Sequence, residues 1–168
     1  MLLVEDDLVR WGQTIGQTVH GPVFLALRGP LGAGKSVLAR AIARGVGVES
    51  AIPLPTFNLL FRYPLPNGGE FAHMDLYRLG DADEVWELGW EELGTEGQII
   101  VVEWPERAEE LLPANRWEVR LDPVPGDVFS RRISVDRVGE PPDLPAFPLT
   151  LSSAGRGRST AGVRDYQK

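Results

Sequence analysis

The run Gly29-Pro30-Leu31-Gly32-Ala33-Gly34-Lys35-Ser36 reads G-x-x-x-x-G-K-[ST] without a mismatch, the spacing of a loop that wraps nucleotide phosphates. Glycines at these positions let successive backbone N–H groups crowd an anion, which side chains would otherwise obstruct. A helix that starts at the loop adds its unpaired amides and the positive end of its dipole. Lys35 is a flexible point charge able to reach β- and γ-phosphates, and Ser36 offers a hydroxyl to magnesium. Of 17 basic residues only Lys35 and Lys168 are lysine, so a chain that otherwise uses arginine keeps a slim ammonium where a planar guanidinium fits poorly. No G-x-G-x-x-G can be written across the loop, which excludes a dinucleotide fingerprint.

Further acids and hydroxyls fall where such a loop needs them. Gln98-Ile99-Ile100-Val101-Val102-Glu103 is an apolar run ending in a carboxylate, the place of a Walker-B acid that holds magnesium. His73-Met74-Asp75 closes another strand, and residues two apart on a strand share a face, so imidazole and carboxylate point the same way. Together they could order a metal-bound water; a structural histidine is the competing reading. Thr56 stands on a segment stiffened by Pro53 and Pro55, either as a sensor of the γ-phosphate or as part of a plain connection. Trp104, directly after Glu103, is a site wall, a partner contact or core packing.

These residues need a parallel sheet beneath them. Val23-Phe24-Leu25-Ala26-Leu27 is apolar throughout, as in a strand buried on both faces, and leads into the loop. Val37, Leu38, Ala41, Ile42 and Val46 recur at helical spacing up to a C-cap at Gly45 or Gly47. Before the strand, Leu8, Trp11 or Gly12, Ile15 and Val19 mark an amphipathic helix that starts at Asp6 or Asp7 and ends at Gly21-Pro22. Residues 58–63 and 70–75 flank Asn67-Gly68 as a hairpin. Asp81 and Glu84 have capping-box spacing before a short acidic helix, and Pro105 opens another that runs to Leu112. Residues 116–121 and 129–135 alternate like two antiparallel strands. The expected fold is an α/β P-loop NTPase, three layers α/β/α around a mixed, largely parallel sheet with a β-hairpin. It occupies residues 1–138, and residues 139–168, rich in Pro, Ser, Gly and Arg, read as a poorly ordered tail with a short strand near 147–151.

Composition narrows the function classes. The 168 residues suit one domain of ordinary globular character, 43% hydrophobic and 24% charged. A formal charge of −7 argues against a broad nucleic-acid-binding surface, so any RNA role would come through a partner. No apolar run reaches membrane-spanning length, Glu5-Asp6-Asp7 follows Met1 too closely for a signal peptide, and a cytoplasmic protein is expected. With no cysteine, disulfides, thiolate catalysis and cysteine-based zinc sites are excluded.

Leu31-Gly32-Ala33-Gly34-Lys35-Ser36, Pro55-Thr56-Phe57, His73-Met74-Asp75-Leu76-Tyr77-Arg78 and Val102-Glu103-Trp104-Pro105-Glu106 resemble, in order and spacing, the bacterial TsaE family of small P-loop ATPases. H-x-D-L-Y-R followed by V-E-W-P-E is far more specific than the phosphate loop, and the likeness covers about residues 5–135. It implies Mg²⁺-dependent ATP hydrolysis in the service of TsaD and TsaB, which make the threonylcarbamoyl modification at adenosine 37 of tRNA. TsaE-type proteins do not transfer that group themselves; they reset the synthase between turnovers. The resemblance implies nucleotide contacts from Glu5 and from Leu31, Gly32, Ala33, Gly34, Lys35, Ser36 and Val37, magnesium ligation by Ser36 and Glu103, a nucleotide-responsive loop at Thr56, and Asp75 in hydrolysis. Asp75 is the candidate to orient water, with His73 or Glu106 as alternatives. Arg131 is the candidate for an arginine that touches nucleotide in the family. Leu54 replaces a common serine and Pro30 a common acid. The rival classes are a P-loop small-molecule kinase, which would need an arginine-rich lid that the chain has no insertion to build, and an ATP-gated adaptor that does not hydrolyse.

Overall fold

The computed structural model describes residues 1–49, 59–81 and 83–147. Thr56 and the proline-stiffened segment around it therefore lie outside the described residues, as does nearly all of the stretch expected to form a strand near 147–151.

Seven strands form one sheet in the order β1-β7-β6-β2-β5-β4-β3. They are β1 (Leu2–Val4), β2 (Val23–Arg28), β3 (Leu60–Pro64), β4 (Glu70–Asp75), β5 (Gln98–Glu103), β6 (Arg116–Val124) and β7 (Asp127–Val138). The central strands β6, β2, β5 and β4 run parallel, and β1, β7 and β3 are antiparallel to their neighbours. This is the expected mixed sheet, with β3 and β4 as the expected hairpin. Asn67 Oδ1 accepts the Gly69 N–H at 3.1 Å in the turn, and Gly68 has φ 86°. Strand β1 is too short to announce itself by alternation.

Alternation along the buried strands sorts side chains into two cores. Leu25, Leu27, Ile99, Val101, Val119 and Leu121 pack beneath α1 (Glu5–Thr18) and α2 (Lys35–Gly45). Phe24, Ala26, Ile100, Val102, Ala72 and Met74 face the opposite layer of short helical pieces. Helices α1 and α2 touch through Gly16, where a methyl group would lie 2.3 Å from Ile42 O. A bulkier residue there would push α2 off the sheet, and α2 carries Lys35 and Ser36.

The second layer is less regular than the sequence suggests. The helix α3 spans only Glu84–Glu87, and no side chain caps it. Asp81 Oδ1 accepts instead from the Asp83 N–H at 3.1 Å, so the capping box is replaced by an Asx turn. The helix after Pro105 is a 3₁₀ segment, Pro105–Leu111, broken at Ala108. Arg28 holds it to the sheet, with Glu109 Oε2 at 2.7 Å and Glu106 Oε2 at 3.7 Å. The same guanidinium pairs with Glu118 of β6, which also accepts from Arg116 Nε at 2.6 Å.

Residues 140–147, assigned from sequence to the tail, lie against the body. Phe147 stacks on Trp11 at 4.3 Å between ring centres, Trp11 Nε1–H donates to Pro145 O at 3.1 Å, and Trp117 Nε1–H donates to Pro142 O at 2.7 Å. Aromatic N–H groups facing a segment without proline donors make carbonyl oxygens the natural partners.

The Glu118 cluster has a measurable signature. Burial alone would push its carboxyl up, but hydrogen bonds from Arg28 and Arg116 outweigh burial and hold it below the usual carboxylate range. A carboxyl lowered by folding adds stability above its unfolded value, and that contribution is lost as pH falls through the folded value. Glu118→Gln should therefore cost about 1–3 kcal/mol at pH 7, the worth of hydrogen bonds to a charged group. In urea melts the gap to wild type should close as pH drops below the ordinary carboxylate range; a gap that persists or widens would contradict the assignment.

Candidate functional site

Three parallel strands end at one level, and their C-terminal edge is where α/β sheets bind ligands. Leu27 of β2 and Asp75 of β4 both pair with Glu103 of β5. The backbone beyond each end is pinned to a neighbour: Leu76 N–H donates to Glu103 O at 3.0 Å, and Trp104 N–H donates to Leu27 O at 3.3 Å. The loop leaves β2 through Gly29 at φ 134°, where a Cβ would meet Leu121 O at 2.1 Å, and enters α2 through Gly34 at φ 105°. Both positions require glycine. The amides of the first turn of α2 are left facing outward as a concave, anion-favouring surface.

One cavity of about 270 Å³ collects the predicted residues. Leu31, Gly32, Ala33, Gly34, Lys35, Ser36 and Val37 line it together with Asp75 and Glu103. Glu5 lines a second cleft of about 140 Å³ on the other side of the loop, with Gly32 to Gly34, Val37 and Arg131. Arg131 Nε–H donates to Ala33 O at 3.1 Å, so it braces the loop backbone from β7. A larger cavity of about 490 Å³, around Phe24, Trp90, Leu111 and Pro142, contains none of the predicted residues.

Glu103 is 1% exposed and uses both carboxylate oxygens. Ser36 Oγ–H donates to Oε2 at 2.8 Å, and Oε1 lies 2.8 Å from His73 Nε2. Sequence reasoning placed His73 and Asp75 on one face and left His73 either ordering a metal-bound water or structural. The structure fits the second reading: His73 lies behind Glu103, 1% exposed and absent from the cavity lining. Asp75 is half-buried and lines the cavity, with Oδ1 accepting the Tyr77 N–H at 3.0 Å. Burial pushes the Asp75 carboxyl up and nearby Glu103 adds to this, against the Tyr77 amide, His73 and Lys35.

Lys35 Nζ donates to Gly29 O at 2.7 Å and Pro30 O at 2.9 Å, which leaves one of its three protons for a ligand. The ammonium also lies 3.8 Å from the centre of the Trp104 ring, itself packed on Tyr77 at 4.8 Å. Trp104 is the only non-glycine among the described residues with positive φ, 59°. A side chain in that region costs about 1–3 kcal/mol, offset here by the Leu27 hydrogen bond and the two ring contacts. Of the readings open for Trp104, two are observed together: it walls the cavity and packs against the second core. That its ring would cover Lys35 was not legible, because the left-handed turn that aims it leaves no mark in residue types.

Residues 3–133 match the model of the family TsaE, described as threonylcarbamoyl adenosine biosynthesis protein TsaE. The chain belongs to the TsaE family. A TsaE protein of Streptomyces coelicolor is 35% identical over 133 residues, 77% of this chain and 89% of the relative. One from Mycobacterium tuberculosis is 39% identical over 126 residues, covering 71% and 75% of the two chains. The crystal structure of YdiB from Bacillus subtilis superposes with a TM-score of 0.64 at 26% identity, covering 83% of this chain and 84% of that one. The fold is thus that of a TsaE-like α/β protein, and the family takes part in threonylcarbamoyladenosine biosynthesis. Among the described residues no helix is long and apolar enough to cross a membrane.

The Lys35 environment can be read directly, since the chain has only Lys35 and Lys168. Burial lowers the Lys35 pKa below the usual lysine range, against the opposing pull of Glu103, Glu106 and Asp75. In protein labelled with ¹³C-lysine, one of two ε-carbon titrations should be displaced to lower pH and disappear in Lys35→Arg. Trp104→Leu, which opens the ammonium to water, should move it back up. Two superimposed titrations in the wild type would contradict the geometry.

Proposed function

We propose that this chain is a Mg²⁺-dependent ATPase that serves tRNA threonylcarbamoyladenosine modification in the cytoplasm, as an accessory factor that resets a TsaD–TsaB type synthase. It would meet tRNA only through those partners, in keeping with its charge of −7. The observation that carries the reading is the pair Ser36 Oγ and Glu103 Oε2, 2.8 Å apart at the start of α2 and beside Asp75.

That pair suits magnesium on chemical grounds. Both donors are hard oxygens, and cis ligands of a cation with ~2.05 Å bonds stand ~2.9 Å apart. Among the described residues no group of three or more His, Cys, Asp or Glu could hold a metal. Two protein oxygens match the mode in which Mg²⁺ is held by one or two side chains, substrate phosphates and water. Bound there, the ion would neutralise charge on the β- and γ-phosphate oxygens.

The chain's own residues supply the rest. The amides of Gly34, Lys35 and Ser36 at the start of α2 would grip phosphate oxygens, the Ala33 amide being taken by Pro30 O, and the third proton of Lys35 would reach the same charge. Asp75 keeps Oδ2 for a water, because its other oxygen is held by the Tyr77 amide. A carboxylate with raised proton affinity is a better acceptor for that water's proton than an ordinary aspartate. Thr56 keeps the part of γ-phosphate sensor in this reading. Trp104, resting on Tyr77, covers the Lys35 ammonium, which strengthens its charge interactions.

Reconstitution with purified TsaD and TsaB type proteins and tRNA tests this. Asp75→Asn should lower Mg-ATP turnover roughly 10²-fold with nucleotide binding retained, and Lys35→Ala should lose nucleotide binding. Modified adenosine should fall in step with turnover. Full modification by a variant that no longer hydrolyses would leave the adaptor reading, and phosphate transfer to a metabolite without partner proteins would leave the kinase reading.

A further inference from the structure

His73 has no part in the chemistry above, although it lies one hydrogen bond from it. It sits on β4 opposite Val101 of β5, on the sheet face that also carries Asp75 and Glu103. Its Nε2 meets Glu103 Oε1 at 2.8 Å, with both side chains 2% exposed. A carboxylate can only accept, so Nε2 carries the proton and donates. The other ring nitrogen, Nδ1, is buried without a hydrogen-bond partner among the described residues. An unpaired buried acceptor is unfavourable, and an apolar residue beside Phe71 would avoid it. What the imidazole contributes is therefore its single N–H.

We infer that His73 is a positioning residue for the metal site: by holding Glu103 Oε1 it turns Oε2 toward Ser36 and presents one oxygen, in one orientation, to a divalent cation. The inference rests on the reading of Glu103 and Ser36 as metal ligands. With the anchor gone, the carboxylate is free to rotate about its last torsion, which is broad and nearly two-fold. Orientations that turn both oxygens away from Ser36 would then be populated, and the cation would lose a preset ligand. Partners that orient a ligating group in this way are worth about 10–100-fold in metal affinity. Binding of phosphate to the loop amides and Lys35 does not pass through this tie, so nucleotide affinity without metal should be indifferent to His73.

The test uses the full chain and the fluorescent analogue mant-ATP, titrated first in EDTA and then over a range of free Mg²⁺. In the wild type, affinity should rise with Mg²⁺ to a defined midpoint. His73→Leu should move that midpoint up by roughly 10–100-fold and leave the affinity in EDTA unchanged. His73→Gln, whose amide N–H extends to the place of Nε2, should restore the midpoint, and His73→Asn, too short to reach Oε1, should behave like the leucine variant. If His73→Leu fails to fold, the Gln and Asn pair carries the comparison alone. Equal midpoints in wild type and the leucine or asparagine variant, or equal shifts in Gln and Asn, would overturn the inference. A wild type that binds mant-ATP with no response to Mg²⁺ would overturn the reading of Glu103 itself, a separate result.

Discussion

A carboxylate with almost no contact with water must have its oxygens hydrogen-bonded or remain unstable, and Glu103 satisfies one with Ser36 and the other with His73. That constraint ties β4, β5 and the start of α2 to one point. The strand ends share a level because Leu27, Asp75 and the backbone of Leu76 and Trp104 all register on the same residue pair of β2 and β5. The phosphate loop follows, since Gly29 and Gly34 have little choice of path between a fixed strand end and a fixed helix start.

Charge is arranged around this point in two tiers. Lys35 shares the cavity with Asp75 and Glu103 and is held by carbonyl oxygens and an indole face. The glutamates further back are answered by Arg28, which ties the 3₁₀ segment after Trp104 to β6. Glu109 and Glu118 are answered closely by Arg28, whereas Glu106, 3.7 Å from the same guanidinium, still acts on the Lys35 ammonium.

Much of this could be read in advance where the physics is local. A wholly apolar strand, the glycine spacing and an acid at the end of β5 each have one residue type that the geometry requires, so the loop and Ser36, Lys35 and Glu103 were legible. Strand alternation gave the face shared by His73 and Asp75, but not which of them meets the cavity, because that depends on the register of β4 against β5. The capping box at Asp81 failed, and the helix after Pro105 came out with its expected start but in 3₁₀ form, for a related reason: hydrogen bonds offer several local solutions, and packing under Phe24, Ile100 and Trp90 selects among them. The docking of residues 140–147 was hidden by composition. Prolines and an isolated phenylalanine look like a tail until Trp11 and Trp117 supply donors for their carbonyls.

The central claim is that Ser36 and Glu103 share a cation beneath a nucleotide held by the loop. Crystals grown with Mn²⁺ and a non-hydrolysable ATP analogue would test it most directly, because manganese is located by its anomalous scattering independently of the protein model. The expected map has one strong peak in contact with Ser36 Oγ, facing Glu103 Oε2, with the phosphates cradled between Gly32 and Ser36. A nucleotide seated in the loop with its manganese away from Glu103, or a nucleotide bound elsewhere on the sheet, would contradict the account.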